Sequence, residues 1–146
     1  MTLSILLVED SDEDFLAFQR AFKYANLSYP LQRCTKGDEA LDYLYRCGRY
    51  VTSDHSLPAL ILLDLNLPGA DGRYVFSTIK GDPQLMQIPV IIVTSSANPK
   101  DVEACYQNGA NSYLVKSVNF VKFRQQISVL TDFWLNVAQL PGNVEL

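Results

Sequence analysis

Histidine is almost missing from this chain, and its one copy, His55, has no second histidine or cysteine near it. It offers no metal-ligand cluster and reads as a surface residue of a loop. Cysteine is scarce as well. Cys34, Cys47 and Cys105 are an odd number at wide spacing with no C-x-x-C, which excludes a disulfide framework and a zinc site and leaves them as small buried or half-buried hydrophobes. Basic charge is in deficit: 12 Lys and Arg stand against 16 Asp and Glu, a formal net charge of −4. A basic face for gripping DNA or RNA is therefore not expected. No apolar run approaches the length of a membrane span. The start, Met1-Thr2-Leu3-Ser4, lacks the basic region and long apolar core of a signal peptide, so a soluble cytoplasmic protein is expected. Repeats, linkers and low-complexity tracts are absent too. A length of 146 residues suits one domain, residues 1–146.

What is present centres on Pro58 to Gly72, P-A-L-I-L-L-D-L-N-L-P-G-A-D-G. Ala59 to Leu63 suit a short strand covered on both faces, which delivers Asp64 to its end before a turn at Asn66-Leu67-Pro68-Gly69. Similar runs recur along the chain. Leu3 to Val8 ends in Glu9-Asp10, Tyr29 to Cys34 is a weaker strand, Val90 to Val93 ends in Thr94-Ser95-Ser96, and Ser112 to Val115 ends in Lys116. Helices fall between them. Ser11 or Asp12 caps the first, with Phe15, Phe18, Phe22 and Ala25 on one face and Asp12, Glu13 and Asp14 in the first turn, where the helix dipole favours acids. A second helix carries Ala40, Leu41, Leu44 and Cys47, and Tyr50 pins the long polar segment that follows it. Arg73 to Lys80, a helix opened by Asn98-Pro99, and one capped by Asn119 complete the series.

Strict alternation of apolar strands with amphipathic helices predicts an α/β fold: a five-stranded parallel sheet of order 2-1-3-4-5, flavodoxin-like (βα)5, with helices on both faces. Every strand of a parallel sheet ends at the same edge. Glu9-Asp10, Asp64, Thr94 and Lys116 therefore converge, and Asp10 and Asp64 face each other across neighbouring strands. Carboxylates that close repel unless a cation sits between them, and hard oxygen ligands with room for water suit Mg²⁺. The backbone carbonyl of Asn66 lies where a further ligand can come from. Lys116 and Thr94 offer an ammonium and a hydroxyl to an anion beside the metal, and a phosphoryl group on Asp64 would satisfy all of them.

In L-L-V-E-D, L-I-L-L-D-L-N-L-P-G-A-D-G, P-V-I-I-V-T-S and N-S-Y-L-V-K the sequence resembles the receiver domains of two-component response regulators, over about Ile5 to Leu130. That resemblance implies that Asp64 accepts a phosphoryl group from a histidine kinase. It implies that Glu9, Asp10, Asp64 and the Asn66 carbonyl hold Mg²⁺, directly or through water. Thr94 would bind the phosphoryl oxygens and swing inward, Lys116 would pair with the phosphate, and Tyr113 would be the aromatic that reports the switch. The G-R-Y insertion before the third strand, the Lys116-Ser117 pair and the late F-W-L look most like single-domain regulators that partner phytochrome-type kinases. One departure stands out. Receivers usually carry proline after this lysine, in a cis bond that aims it; a cis bond to serine costs about 2.5–4 kcal/mol, so either a trans peptide with a rerouted loop or a strained cis one is expected. Two other readings compete: a flavin carrier, whose phosphate the acidic loop Glu9 to Asp14 would repel, and a receiver-like binding module not regulated by phosphorylation.

Only Gln139 to Leu146 follow the last helix, so output is expected through the surface of the domain. As one α-helix from Asn119 to Ala138 it would span about 30 Å and overhang the sheet, with Phe120, Phe123, Ile127, Leu130, Trp134 and Val137 facing the core. Val129 points away. Phe133, Trp134 and Leu135 cannot all face one core, so a homodimer through the fourth helix, fifth strand and fifth helix is expected, with Val129, Phe133, Trp134 and Leu135 in the interface and the C-terminal segment sealing it. The alternative is that Pro141 to Leu146 folds back over these side chains.

Overall fold

The computed structural model describes residues 3–25 and 29–141. Five short strands, β1 (Ile5–Val8), β2 (Leu31–Cys34), β3 (Leu60–Leu63), β4 (Val90–Thr94) and β5 (Ser112–Val115), alternate with helices α1 (Asp12–Tyr24), α2 (Gly37–Tyr45), α3 (Gly72–Gly81), α4 (Pro99–Gln107) and α5 (Phe120–Asp132). All strand pairs are parallel, in the order β2-β1-β3-β4-β5. The predicted fold is the observed one. Capping side chains set the helix starts: Ser11, Asp71, Asn98 and Asn119 each accept a backbone N–H of the first turn, and Pro99 takes the first position of α4.

Alternate strand residues feed two separate core layers. Leu6, Val8, Ile61, Leu63, Val90 and Ile92 pack against α2 and α3, with Cys105 of α4 in the same layer. Ile5, Leu7, Leu60, Leu62, Ile91 and Val93 pack on the other face against α1 and α5. Because both faces are covered, the central strands have no polar side to show, which is why they read as unbroken apolar runs. The register sets Val8 beside Leu63, so the acids that follow these two residues emerge together.

Three expectations need correction. The last helix is not α-helical to Ala138: it changes at Phe133–Val137 to a π turn, closed by Ala138 N–H donating to the Phe133 carbonyl at 2.7 Å. The Thr131 hydroxyl, buried at the junction, donates back to the Ile127 carbonyl. The wider turn shifts the buried face by one residue. Leu135 consequently lies in the core at 7% exposure and presents nothing to a partner, whereas Val137 is 69% exposed and leaves the predicted stripe. Val129 and Phe133 are exposed as expected, and Trp134 is half-buried. Secondly, Cys47 is exposed, its thiol donating to Asp42, while Cys34 and Cys105 are buried. Thirdly, His55 is half-buried: its ring stacks on Tyr43 at 3.9 Å and its Nε2 meets the Tyr43 carbonyl at 2.8 Å. Tyr50 does pin the segment, donating to Glu39 from a 3-10 turn at Gly48–Tyr50. The fold-back of the C-terminal segment lies, beyond Pro141, outside the described residues.

Gly72 deserves its place for a steric reason. A Cβ there would meet the Asp64 carbonyl oxygen and the Leu65 backbone, so only glycine lets α3 begin directly on the end of β3. Replacing Gly72 with Ala should cost about 1–3 kcal/mol in urea unfolding. Gly81→Ala, where a Cβ meets nothing within 4 Å, should leave stability unchanged or raise it by about 0.4–1 kcal/mol. Equal midpoints for the two variants would show that the close approach at Gly72 is relieved at no cost.

Candidate functional site

The carboxyl edge of the sheet gathers charge in a shallow, mostly covered site. Glu9 follows β1 at 1% exposure, Asp64 follows β3 at 6%, and Asp10 stands exposed beside them. Each offers a carboxylate oxygen, and these oxygens lie within 4.8 Å of one another, a donor set of hard oxygens that fits a divalent cation. From the far side comes Lys116. Its ammonium donates to Glu9 Oε1 at 2.6 Å, Asp14 Oδ2 at 2.8 Å and Asp64 Oδ2 at 2.9 Å, which uses all three of its protons. No peptide bond among the described residues is cis, so the Lys116-Ser117 bond is trans and the lysine still reaches the site.

The charges shift one another. Burial pushes the Glu9 carboxyl up to about 7, against the pull of the Lys116 ammonium. Burial alone would lower Lys116, but Glu9, Asp14 and Asp64 outweigh it and hold the ammonium above its ordinary value. The remaining oxygens are mostly committed: Asp64 Oδ1 accepts the Asn66 N–H at 3.1 Å, and Glu9 Oε2 accepts the Ser11 N–H at 3.3 Å. With three carboxyl groups on one ammonium and Asp10 beside two of them, the site favours a further cation.

On the β4 side Thr94 is fully buried, its hydroxyl within 3.5 Å of the Asn66 amide and accepting the Ser96 N–H at 3.4 Å. Tyr113, half-buried on β5, donates its hydroxyl to the Ser96 carbonyl at 2.8 Å. The Ser96 hydroxyl donates to Asp101 on α4 at 2.7 Å, and Arg73 of α3 grips the same carboxylate through two nitrogens at 2.7 and 2.8 Å. The loop after Thr94 is thus tied to β5, α4 and α3 at once.

All the residues expected from sequence at this edge meet here: Glu9, Asp10, Asp64, Asn66, Thr94 and Lys116, with Tyr113 one step behind. Sequence reasoning missed three contributors. Asp14 was assigned only to the helix dipole, yet its place one turn into α1 carries it over the strand ends to Lys116. Arg33 interrupts the apolar character of β2, and its Nε donates to the Glu9 carbonyl while its Nη1 pairs with Asp12 at 2.8 Å. The Arg73–Asp101 pair spans 28 positions and has no local signature. Away from the acids, a groove of about 880 Å³ runs between β5 and α5, lined by Leu114, Val129, Leu130, Phe133 and Trp134 among others.

The Asp101 link is open to a direct test. Hydrogen bonds from Arg73, and then from Ser96, hold the Asp101 carboxyl down to about 2, below its ordinary 3.8. Its ionised form therefore favours the folded state above pH 3.8, and that contribution is lost as the pH falls toward 2. Carboxyl-carbon NMR should give a midpoint near 2 in the native chain and one nearer 3.8 in Arg73→Ala; a midpoint near 3.8 in both would dissolve the link.

Comparison with known proteins agrees with this geometry. Residues 5–128 match the response regulator receiver domain family. Response regulator Rcp1 of Synechocystis sp. is 41% identical over 138 residues, 94% of this chain and 92% of its own length. The crystal structure of Mn(2+)-bound Rcp1 superposes with a TM-score of 0.91 over 95% of this chain and 99% of that one, at 40% identity. That of the phosphorylated cyanobacterial phytochrome response regulator RcpA gives 0.89 over 97% and 99%, at 38% identity. A parallel sheet of order 2-1-3-4-5, an acidic cluster suited to a divalent metal and these relatives together lead to one conclusion: the chain belongs to the response regulator receiver domains, and within them resembles the regulators of phytochrome systems.

Proposed function

We propose that this chain is a phosphorylation-activated signalling switch, taking a phosphoryl group from a histidine kinase of phytochrome type onto Asp64. The observation that carries the proposal is the Lys116 ammonium held directly on the Asp64 carboxylate beside an acidic cluster. A phosphorylated relative, RcpA, and a metal-bound one, Rcp1, support it. Glu9, Asp10, Asp64 and the Asn66 carbonyl would hold Mg²⁺, which supplies positive charge to offset that of the transferred group.

The protein's own contribution is positioning and electrostatics. An Asp64 oxygen bonds to phosphorus while the bond from phosphorus to the donor breaks, and the leaving group keeps that electron pair. Burial among β1, β3 and β4 fixes the direction of the attacking carboxylate. Lys116 pairs with the oxygens of the arriving group and neutralises part of its charge. The Thr94 hydroxyl turns toward those oxygens, giving up its Ser96 contact, and Tyr113 follows through the same residue. Return to the resting state is hydrolysis of the acyl phosphate by water.

Output in this reading is by protein contacts of a single cytoplasmic domain, residues 1–146. The groove along β5 and α5, with exposed Val129 and Phe133 and half-buried Trp134, supports a homodimer through α4, β5 and α5. No helix among the described residues is long and apolar enough to cross a membrane.

Incubation with Mg²⁺ and acetyl phosphate should add one phosphoryl group by mass to the native chain and none to Asp64→Asn. Equal labelling of both, or of neither, would defeat the proposal. For the dimer, light scattering should give twice the monomer mass for the native chain and the monomer mass for Phe133→Asp. A monomer in both cases sinks the dimer and leaves the switch standing.

A further inference from the structure

We infer that Gln126, in the middle of α5, is a positioning residue for Lys116, clamping the backbone on both sides of it. The inference rests on the role proposed above for the lysine. β5 is an edge strand: its inner side pairs with β4, and Lys116 N–H continues that pairing by donating to the Thr94 carbonyl at 2.7 Å. In a parallel ladder, successive residues turn their peptide groups to opposite sides. When Lys116 bonds inward, the Val115 carbonyl and the Ser117 N–H face the open edge.

Those are the two groups that Gln126 takes. Its Nε2 donates to the Val115 carbonyl at 2.9 Å, and its Oε1 accepts the Ser117 N–H at 2.9 Å. One residue of a neighbouring parallel strand would do the same, donating to the residue before its opposite number and accepting from the residue after. The side-chain amide of Gln126 therefore stands in for a missing sixth strand at a single rung. Lys116 is held by Thr94 on one side and by Gln126 on the other. The bond needs an N–H at position 117, which serine supplies. Further along, Ser117 Oγ accepts the Asn119 N–H, so the short link into α5 is bonded from its start.

A lysine side chain has many rotamers and reaches its partners only if its stem starts from a fixed place. Here three carboxylates are met within 2.6–2.9 Å by a residue in a short loop after an edge strand. Val115 is itself exposed and adds little packing to hold that point. The rung from Gln126 provides the restraint that packing does not.

The test is a double-mutant cycle on phosphorylation by acetyl phosphate with Mg²⁺, joined to the NMR resonance of the Lys116 ammonium. Gln126→Ala should label about fivefold more slowly than the native chain, the scale of one or two part-exposed hydrogen bonds. In a Lys116→Met background the same change should make no further difference, which a general loss of structure would not reproduce. The ammonium resonance, sharp in the native chain, should broaden in Gln126→Ala. Labelling of Gln126→Ala at the native rate, or an undiminished fivefold deficit in the Lys116→Met background, overturns the inference. Should the native chain accept no phosphoryl group, the proposed function fails on its own, and the ammonium resonance decides alone: an unchanged signal in Gln126→Ala refutes the positioning role. If Gln126→Ala does not fold, Gln126→Leu, which keeps the packing of the stem, carries the same measurements.

Discussion

An ammonium surrounded by three carboxylates at the edge of a buried sheet is the contact on which the arrangement of this protein turns. Lys116 would be costly to bury alone, and so would Glu9 or Asp64. Together they share the cost, and the geometry that lets them do so comes from four different elements: β1, β3, β5 and the first turn of α1. Glu9 and Asp14 are neighbours along the chain, but Asp64 and Lys116 are far from them and from each other, so only a sheet whose strands all end on one side can bring them together. The parallel fold is thus a requirement of the charge cluster as much as a frame for it. Sharing is incomplete, because acids outnumber the base, and the excess negative charge is what makes the edge receptive to a cation.

Around that cluster the molecule is unevenly built. Toward β1 and β3 the neighbours are apolar, tightly packed and bonded strand to strand. Toward the loop that follows β4 they are polar and joined through side chains, as in the Arg73–Asp101–Ser96 series and the Tyr113 hydroxyl on the Ser96 carbonyl. Side-chain links of this kind exchange partners at a smaller cost than packed layers do.

Much of this could be read from the chain because it follows from local rules. Apolar runs gave the strands, Ser11, Asn98 and Asn119 the helix starts, and the common edge of a parallel sheet the convergence of Asp64, Thr94 and Lys116. What escaped is of two kinds. Asp14 and Gln126 were hidden because each has an adequate local explanation, the helix dipole for one and a polar helix face for the other, and their true partners lie 102 and 9 positions away. Leu135, Val137 and His55 were misread because an assumption of regularity failed. An uninterrupted α-helix would bury Val137; a π turn buries Leu135. A lone histidine in a polar loop looks idle until Tyr43, from the preceding helix, is seen lying flat against it.

The close approach of Gly72 to the Asp64 carbonyl bears on mechanical compliance. With no space for even a methyl group behind it, and with the Asp64 N–H bonded to Val8, the floor of the site cannot recede when something is placed on the carboxylate. On the function proposed above, added bulk or charge would be taken up ahead of it, by the loop between β4 and α4, where Ser96 is tied to Asp101 and Tyr113. A stiff back behind a front held by side-chain links would then give a change at one oxygen atom a definite direction.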